Sequence, residues 1–127
     1  MPTYRHKELD TKGMPRKLTD DELRRYDEEG YLVLEDVVPA QLLADVVAET
    51  ERMLAIATTI TEPTPALDLD PAHTPENPRV RRIKSQHEHS EYFHAFAGEP
   101  VITELLDRLM PSGIRVHNTK INMKFAG

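Results

Sequence analysis

The sequence holds 127 residues with a formal net charge of -6, 39% hydrophobic and 30% charged residues, ten prolines and no cysteine. That length bounds the chain to one domain, or part of one, with a modest core. The acidic balance argues against nucleic acid or an anionic membrane as partner, since both need a basic field, and the lack of cysteine removes disulfides and thiolate metal sites.

Residues 1–17 mix charges with Pro2, Gly13 and Pro15 without any period, and read as a loose lead-in. They lack the apolar stretch of a secretory signal, and no apolar run in the chain approaches the roughly 18 residues of a membrane span. A soluble, cytoplasmic protein is expected. "LTDDELRRYDEEG" predicts a helix: Thr19 with Glu22 three residues on forms a capping box, acidic residues occupy the first turn, and Gly30 ends it. "YLVLEDVV" then reads as a short strand over Tyr31–Leu34. Pro39 stands where a helix begins, and Leu42, Leu43, Val46, Val47, Met53 and Leu54 form one stripe at helical spacing, so a second helix is expected to about Ala57.

Between residues 58 and 78, prolines 63, 65, 71, 75 and 78 predict a long loop without regular structure. "RVRRIK" (79–84) reads as a strand, and "SEYFHAFAG" as a short helix with Ser90 as N-cap and Gly98 as its stop. "PVITELLDRLM" is an amphipathic helix opened by Pro100 and using Val101, Ile102, Leu105, Leu106 and Leu109. The last stretch, Ile114 to Phe125, alternates as a half-buried strand does. Asn118, Lys120, Asn122 and Lys124 share one face, and Thr119, Ile121, Met123 and Phe125 the other.

Three features could carry chemistry. Six histidines invite a metal reading, and His6 with Glu8 and His89 with Glu91 have the spacing of a two-His-one-carboxylate pair. About one such pair is expected by chance from this composition, so solvated histidines are the competing explanation. The basic cluster Arg79, Arg81, Arg82 and Lys84 is either a solvated strand face or an anion pocket. No aromatic residues interleave it as a nucleic-acid platform would require. The polar face from Asn118 to Lys124 either meets solvent or faces the ligand-holding interior of a small barrel whose apolar side packs on helices.

The succession "LTDDELRRYDEEGYLVLEDVVPAQLLADV", "RRIKSQHEHSEYFHAFAGEP" and "IRVHNTKINMKFAG" resembles the N-terminal portion of the phytanoyl-CoA dioxygenase family, Fe(II)- and 2-oxoglutarate-dependent oxygenases that include ectoine hydroxylases. The resemblance covers residues 18–127. It implies an α+β fold in which N-terminal helices precede the first strands of an incomplete double-stranded β-helix (jelly roll). It implies that Lys124 binds 2-oxoglutarate and Asn118 touches a small organic substrate. Lys84 is a second cosubstrate candidate, and Lys120 and Asn122 share the inward face. The iron ligands of such enzymes would fall beyond Gly127, so the expectation is an N-terminal fragment of a hydroxylase, inactive alone, with no catalytic or metal residue of its own. Neither Fe(II) nor 2-oxoglutarate is then expected to bind it tightly. A complementing C-terminal half or self-association is the partner this implies, and a non-catalytic binding or interaction module is the alternative.

Overall fold

The computed structural model describes residues 14–125. Helix α1 (Asp20–Glu29) begins as its sequence dictates. The Thr19 hydroxyl accepts the Glu22 N–H at 3.2 Å, while the Glu22 carboxylate accepts the Thr19 N–H at 2.9 Å. Arg16 donates twice to that carboxylate at 2.8 Å. These donors hold Glu22 at a pKa of about 2, with Arg16 the largest cause. Gly30 ends the helix at φ 80, a left-handed position that a side chain would strain.

The next segment corrects one expectation: Tyr31–Leu34 is not a strand. Its alternation is real, for Tyr31 and Val33 are exposed while Leu32 and Leu34 line an apolar groove with Leu105 and Leu109. The inward side chains pack on a helix rather than a neighbouring strand, so period two arises without a ladder. Helix α2 (Ala40–Ala55) follows Pro39 and runs into a 3₁₀ turn (Ile56–Thr59). Of its apolar stripe only Met53 is buried, and Leu43 and Val47 stay exposed.

The proline-rich stretch also departs from expectation, because it contains that turn and a strand, β1 (Leu67–Leu69). Three residues fit between Pro65 and Pro71, and an edge position makes few demands on the flanking prolines. His73 pins the loop beyond it. Its Nε2 lies 2.8 Å from the Ile60 carbonyl and its Nδ1 accepts the Arg79 N–H at 3.0 Å.

Strand β2 (Val80–Lys84) is central to a three-stranded antiparallel sheet of order β1-β2-β3, with β3 at Lys120–Asn122. Leu67 pairs with Ile83 and Asp68 with Arg82, after which Leu69 pairs with Val80, so Arg81 is an extra residue on β2. This bulge lets Val80 and Ile83, three residues apart, both face the core while Arg81 and Arg82 both face out. Met53, Ala57, Leu67, Leu69, Val80, Ile83 and Phe93 form that core, with Ile121 and Met123 of the third strand's apolar side packed on it.

Two short helices, α3 (Gln86–His89) and α4 (Glu91–Phe96), leave the sheet. Ser90 caps α4 by accepting the Phe93 N–H at 3.2 Å and donates to Glu49 of α2 at 2.5 Å. Arg52 also donates to Glu49, and these donors hold its carboxyl near a pKa of about 2, Arg52 being the larger cause. Helix α5 (Pro100–Asp107) buries Val101 and Leu105. Its end is tied to the start of α1 by Arg108, which donates to the Leu18 carbonyl at 2.7 Å and to Asp20 at 2.6 Å, and by Lys17, which donates to Asp107 at 2.5 Å. The architecture is thus α+β, helices on one side of a small antiparallel sheet. Among the described residues no helix is long and apolar enough to cross a membrane. Of the lead-in expected over residues 1–17, residues 1–13, with His6 and Glu8, lie outside the described residues, while Arg16 and Lys17 are tied to Glu22 and Asp107.

Candidate functional site

The strand expected from Ile114 to Phe125 is shorter, Lys120–Asn122, because only that part meets β2. The ladder continues by single bonds on either side, from the Ser85 N–H to the Thr119 carbonyl at 2.8 Å and from the Met123 N–H to the Arg81 carbonyl at 2.9 Å. Residues 114–118 run exposed before it.

Register then decides which side chains meet. Ile83 faces Ile121 on the core side, so Arg82 with Asn122 and Lys84 with Lys120 are cross-strand pairs on the opposite side. Lys120, Asn122 and Lys124 are exposed, and Lys84 is half-buried. Lys84 opposite Lys120 is a like-charge pair, which sheets ordinarily avoid. Among the described residues neither of them, nor Lys124, forms an ion pair. Two of the three arginines of the basic cluster behave differently, while Arg81 is exposed and forms no ion pair among the described residues. Arg82 faces Asp68 at 3.8 Å, while Arg79 lies 3.4 Å from Asp70 and stacks its guanidinium 4.3 Å over the Phe125 ring. Uncompensated positive charge on the outward side therefore comes from Lys84 and Lys120, with Arg81 further along β2.

The structure brings Lys84, Lys120 and Asn122 together directly, while Lys124 lies past the strand, exposed, after the inward Met123. Asn118 is not fixed to that face. It precedes the strand and borders an apolar cavity that Ile121 and Phe93 also line. His87, His89 and His94 share a surface depression with Glu88 and Glu91, yet no group of three metal-ligating side chains among the described residues is arranged to hold an ion.

Two residues escaped the sequence reading. Ser85, a non-glycine residue at φ 46 and ψ 42, turns the chain out of β2. Gln86 follows it, 8% exposed, with an Oε1 that has no hydrogen-bond partner. Both stand in the wholly polar run "KSQHEHS", which offers no contrast by which to single them out.

The fold and this face define a small α+β unit with an open, lysine-rich sheet surface. No protein-family model matches the chain, and no curated protein or solved structure matches it.

Proposed function

We propose that this chain is the N-terminal part of an Fe(II)/2-oxoglutarate-dependent oxygenase of the phytanoyl-CoA dioxygenase family, acting on a small organic substrate, and that its share of the work is to hold the cosubstrate's far carboxylate. The observation that carries this is the pairing of Lys84 with Lys120 on a sheet face that also bears Asn122, opposite the helix-packed side, with the exposed Lys124 two residues past the strand. Helices outside and a polar sheet face toward the ligand is the layering that a jelly roll would require of its first strands.

A dicarboxylate fits these residues. Two or three ammonium groups would donate charge-assisted hydrogen bonds to one carboxylate, relieving their mutual repulsion, and the Asn122 amide can donate or accept beside it. When bound with iron in such oxygenases, 2-oxoglutarate supplies two electrons to dioxygen and leaves as succinate and CO2. The described residues do not fit iron itself, so the role assigned to them stops at binding and orienting the acid.

Titration of the chain with 2-oxoglutarate, followed by amide chemical shifts, tests the reading. Saturable shifts centred on Lys84, Lys120, Asn122 and Lys124 are expected, and Lys124→Ala should weaken binding more than tenfold, since losing one partner of a charged hydrogen bond costs about 2 kcal/mol. Shifts scattered over the surface, or an affinity within twofold of the parent in Lys124→Ala, would defeat it. The exposed Leu43 and Val47 of α2 favour a second reading, a non-catalytic interaction module that self-associates or binds a complementing half. That module would give the scattered result.

A further inference from the structure

On the helix side of the sheet lies a cavity of about 480 Å³, within the usual range for small-molecule sites. Its inner wall is apolar, made by Val46 of α2, Phe93 and Phe96 of α4, Ile102 and Leu106 of α5, and Ile121 of β3. None of the outward lysines lines it. Its open side is polar, with the exposed Arg115, His117 and Asn118, and two of the deeper polar groups satisfy each other: the ring nitrogen Nδ1 of His87 lies 2.6 Å from the Thr119 hydroxyl.

Gln86 is the exception. It lines the same cavity and is more than nine-tenths buried, yet its Oε1 has no hydrogen-bond partner. A buried carbonyl oxygen without a donor is costly and uncommon in folded proteins. Water does not reach it in this conformation, because the oxygen is shielded from the lumen.

We propose that this cavity binds a neutral, largely apolar small molecule bearing one hydrogen-bond donor, a hydroxyl or an N–H, which Gln86 Oε1 accepts. The terminal torsion of glutamine is soft and roughly two-fold, so the carbonyl can turn to the lumen when a donor enters. The apolar wall supplies affinity by excluding water, and Gln86 supplies selectivity. A ligand without the donor leaves the oxygen unpaired, as it is in the empty cavity. The site lies across the sheet from Lys84 and Lys120 and does not use the cosubstrate lysines, though Asn118 stands at its rim.

N-phenyl-1-naphthylamine, a neutral fluorescent diarylamine with one N–H, is a suitable probe of the full chain. Saturable one-to-one binding is expected, with 1-phenoxynaphthalene, whose ether oxygen replaces the N–H, at least tenfold weaker as a displacing competitor. Gln86→Met should bring the two within twofold of each other and melt at or above the parent temperature, because an unpaired polar group has been removed. A lowered melting temperature in Gln86→Met with the preference retained would make Gln86 merely structural and overturn the proposal. Ala97→Phe, at a lining position just past the end of α4, fills the space and should abolish probe binding. Binding that persists in Ala97→Phe, or that never saturates, places the probe on the exposed apolar surface and equally overturns it.

Discussion

Replacing Lys120 by glutamate separates stability from binding. Lys84 and Lys120 are register partners on the outward face, and directly opposed residues of this kind hold their Cβ atoms about 5 Å apart. Like charges there are destabilising and opposite charges stabilising, each by roughly 0.2–1 kcal/mol. Lys120→Glu reverses the sign of the interaction, so the two contributions add. Both side chains reach solvent, which favours the lower part of the range, and a net gain of about 1 kcal/mol follows. For a chain of this size the unfolding entropy is about 0.25 kcal/mol/K, so the melting temperature should rise by about 4 °C at low salt. At about 1 M salt the screening length falls to roughly 3 Å and most of that rise should vanish. The same variant should lose the response to 2-oxoglutarate. At a ligand concentration about ten times Kd the parent gains roughly 1.4 kcal/mol, or about 6 °C by the same conversion, and Lys120→Glu should gain almost nothing. Thermal melts at two salt concentrations, with and without the acid, give all four numbers. An unchanged or lower melting temperature for Lys120→Glu at low salt would refute the pairing, and a retained response to the acid would refute the site.

Two further outcomes follow from the core and the helix ties. Glu22 and Glu49 both titrate near 2 in the folded chain against an ordinary 4.5. Their stabilisation is therefore complete above about 4.5 and lost as pH falls toward about 2, and Glu49→Gln should flatten a plot of melting temperature against pH across that window. Ile83 is fully buried at the centre of the sheet, so Ile83→Ala should cost about 3–4 kcal/mol in urea denaturation, while Val33→Ala at a position 67% exposed should stay within about 0.5 kcal/mol.

What the sequence made legible was local. The Thr19–Glu22 capping box, the Ser90 cap and the Gly30 stop depend on residues within four positions of one another, and all three form as read. The alternation of the last strand was legible in its middle, where Ile121 and Met123 turn inward, but Phe125, expected beside them, is exposed and Asn118 does not share the lysine face. The partner of each element was not. Tyr31–Leu34 and Ile121–Met123 both show period two, but one packs on α5 and the other on β2, and nothing within either segment distinguishes the two outcomes. Strand β1 hid among prolines because three residues are too few to show a period. The opposition of Lys84 and Lys120 follows from a pairing 36 residues apart in sequence, and such register is fixed by burying Ile83 against Ile121 rather than by anything near either lysine.

Ser85 is where the two chemistries of the molecule part. A strand residue that turned smoothly into a helix would leave its neighbours to alternate, Lys84 outward and Gln86 outward again two positions on. The left-handed conformation of Ser85 breaks that alternation, so Lys84 remains on the sheet's lysine face while Gln86 passes beneath the sheet into the apolar cavity. Such a backbone costs a non-glycine residue roughly 1 kcal/mol or more, and it persists only where its surroundings hold it. Here they do so on both sides. The Ser85 N–H donates to the Thr119 carbonyl as the last rung of the ladder, and the Ser85 carbonyl accepts the Glu88 N–H at 2.8 Å as the first turn of α3. Thr119 is also the residue bonded to His87 at the edge of the cavity. One short stretch of backbone, residues 84–87 against 119–120, therefore fixes the position of the like-charged pair on one face and of the unpaired amide on the other. Each of those two features is unfavourable in isolation. Their common support by a strained residue, held at both its donor and its acceptor, is the physical reason to read them as sites rather than as accidents of packing.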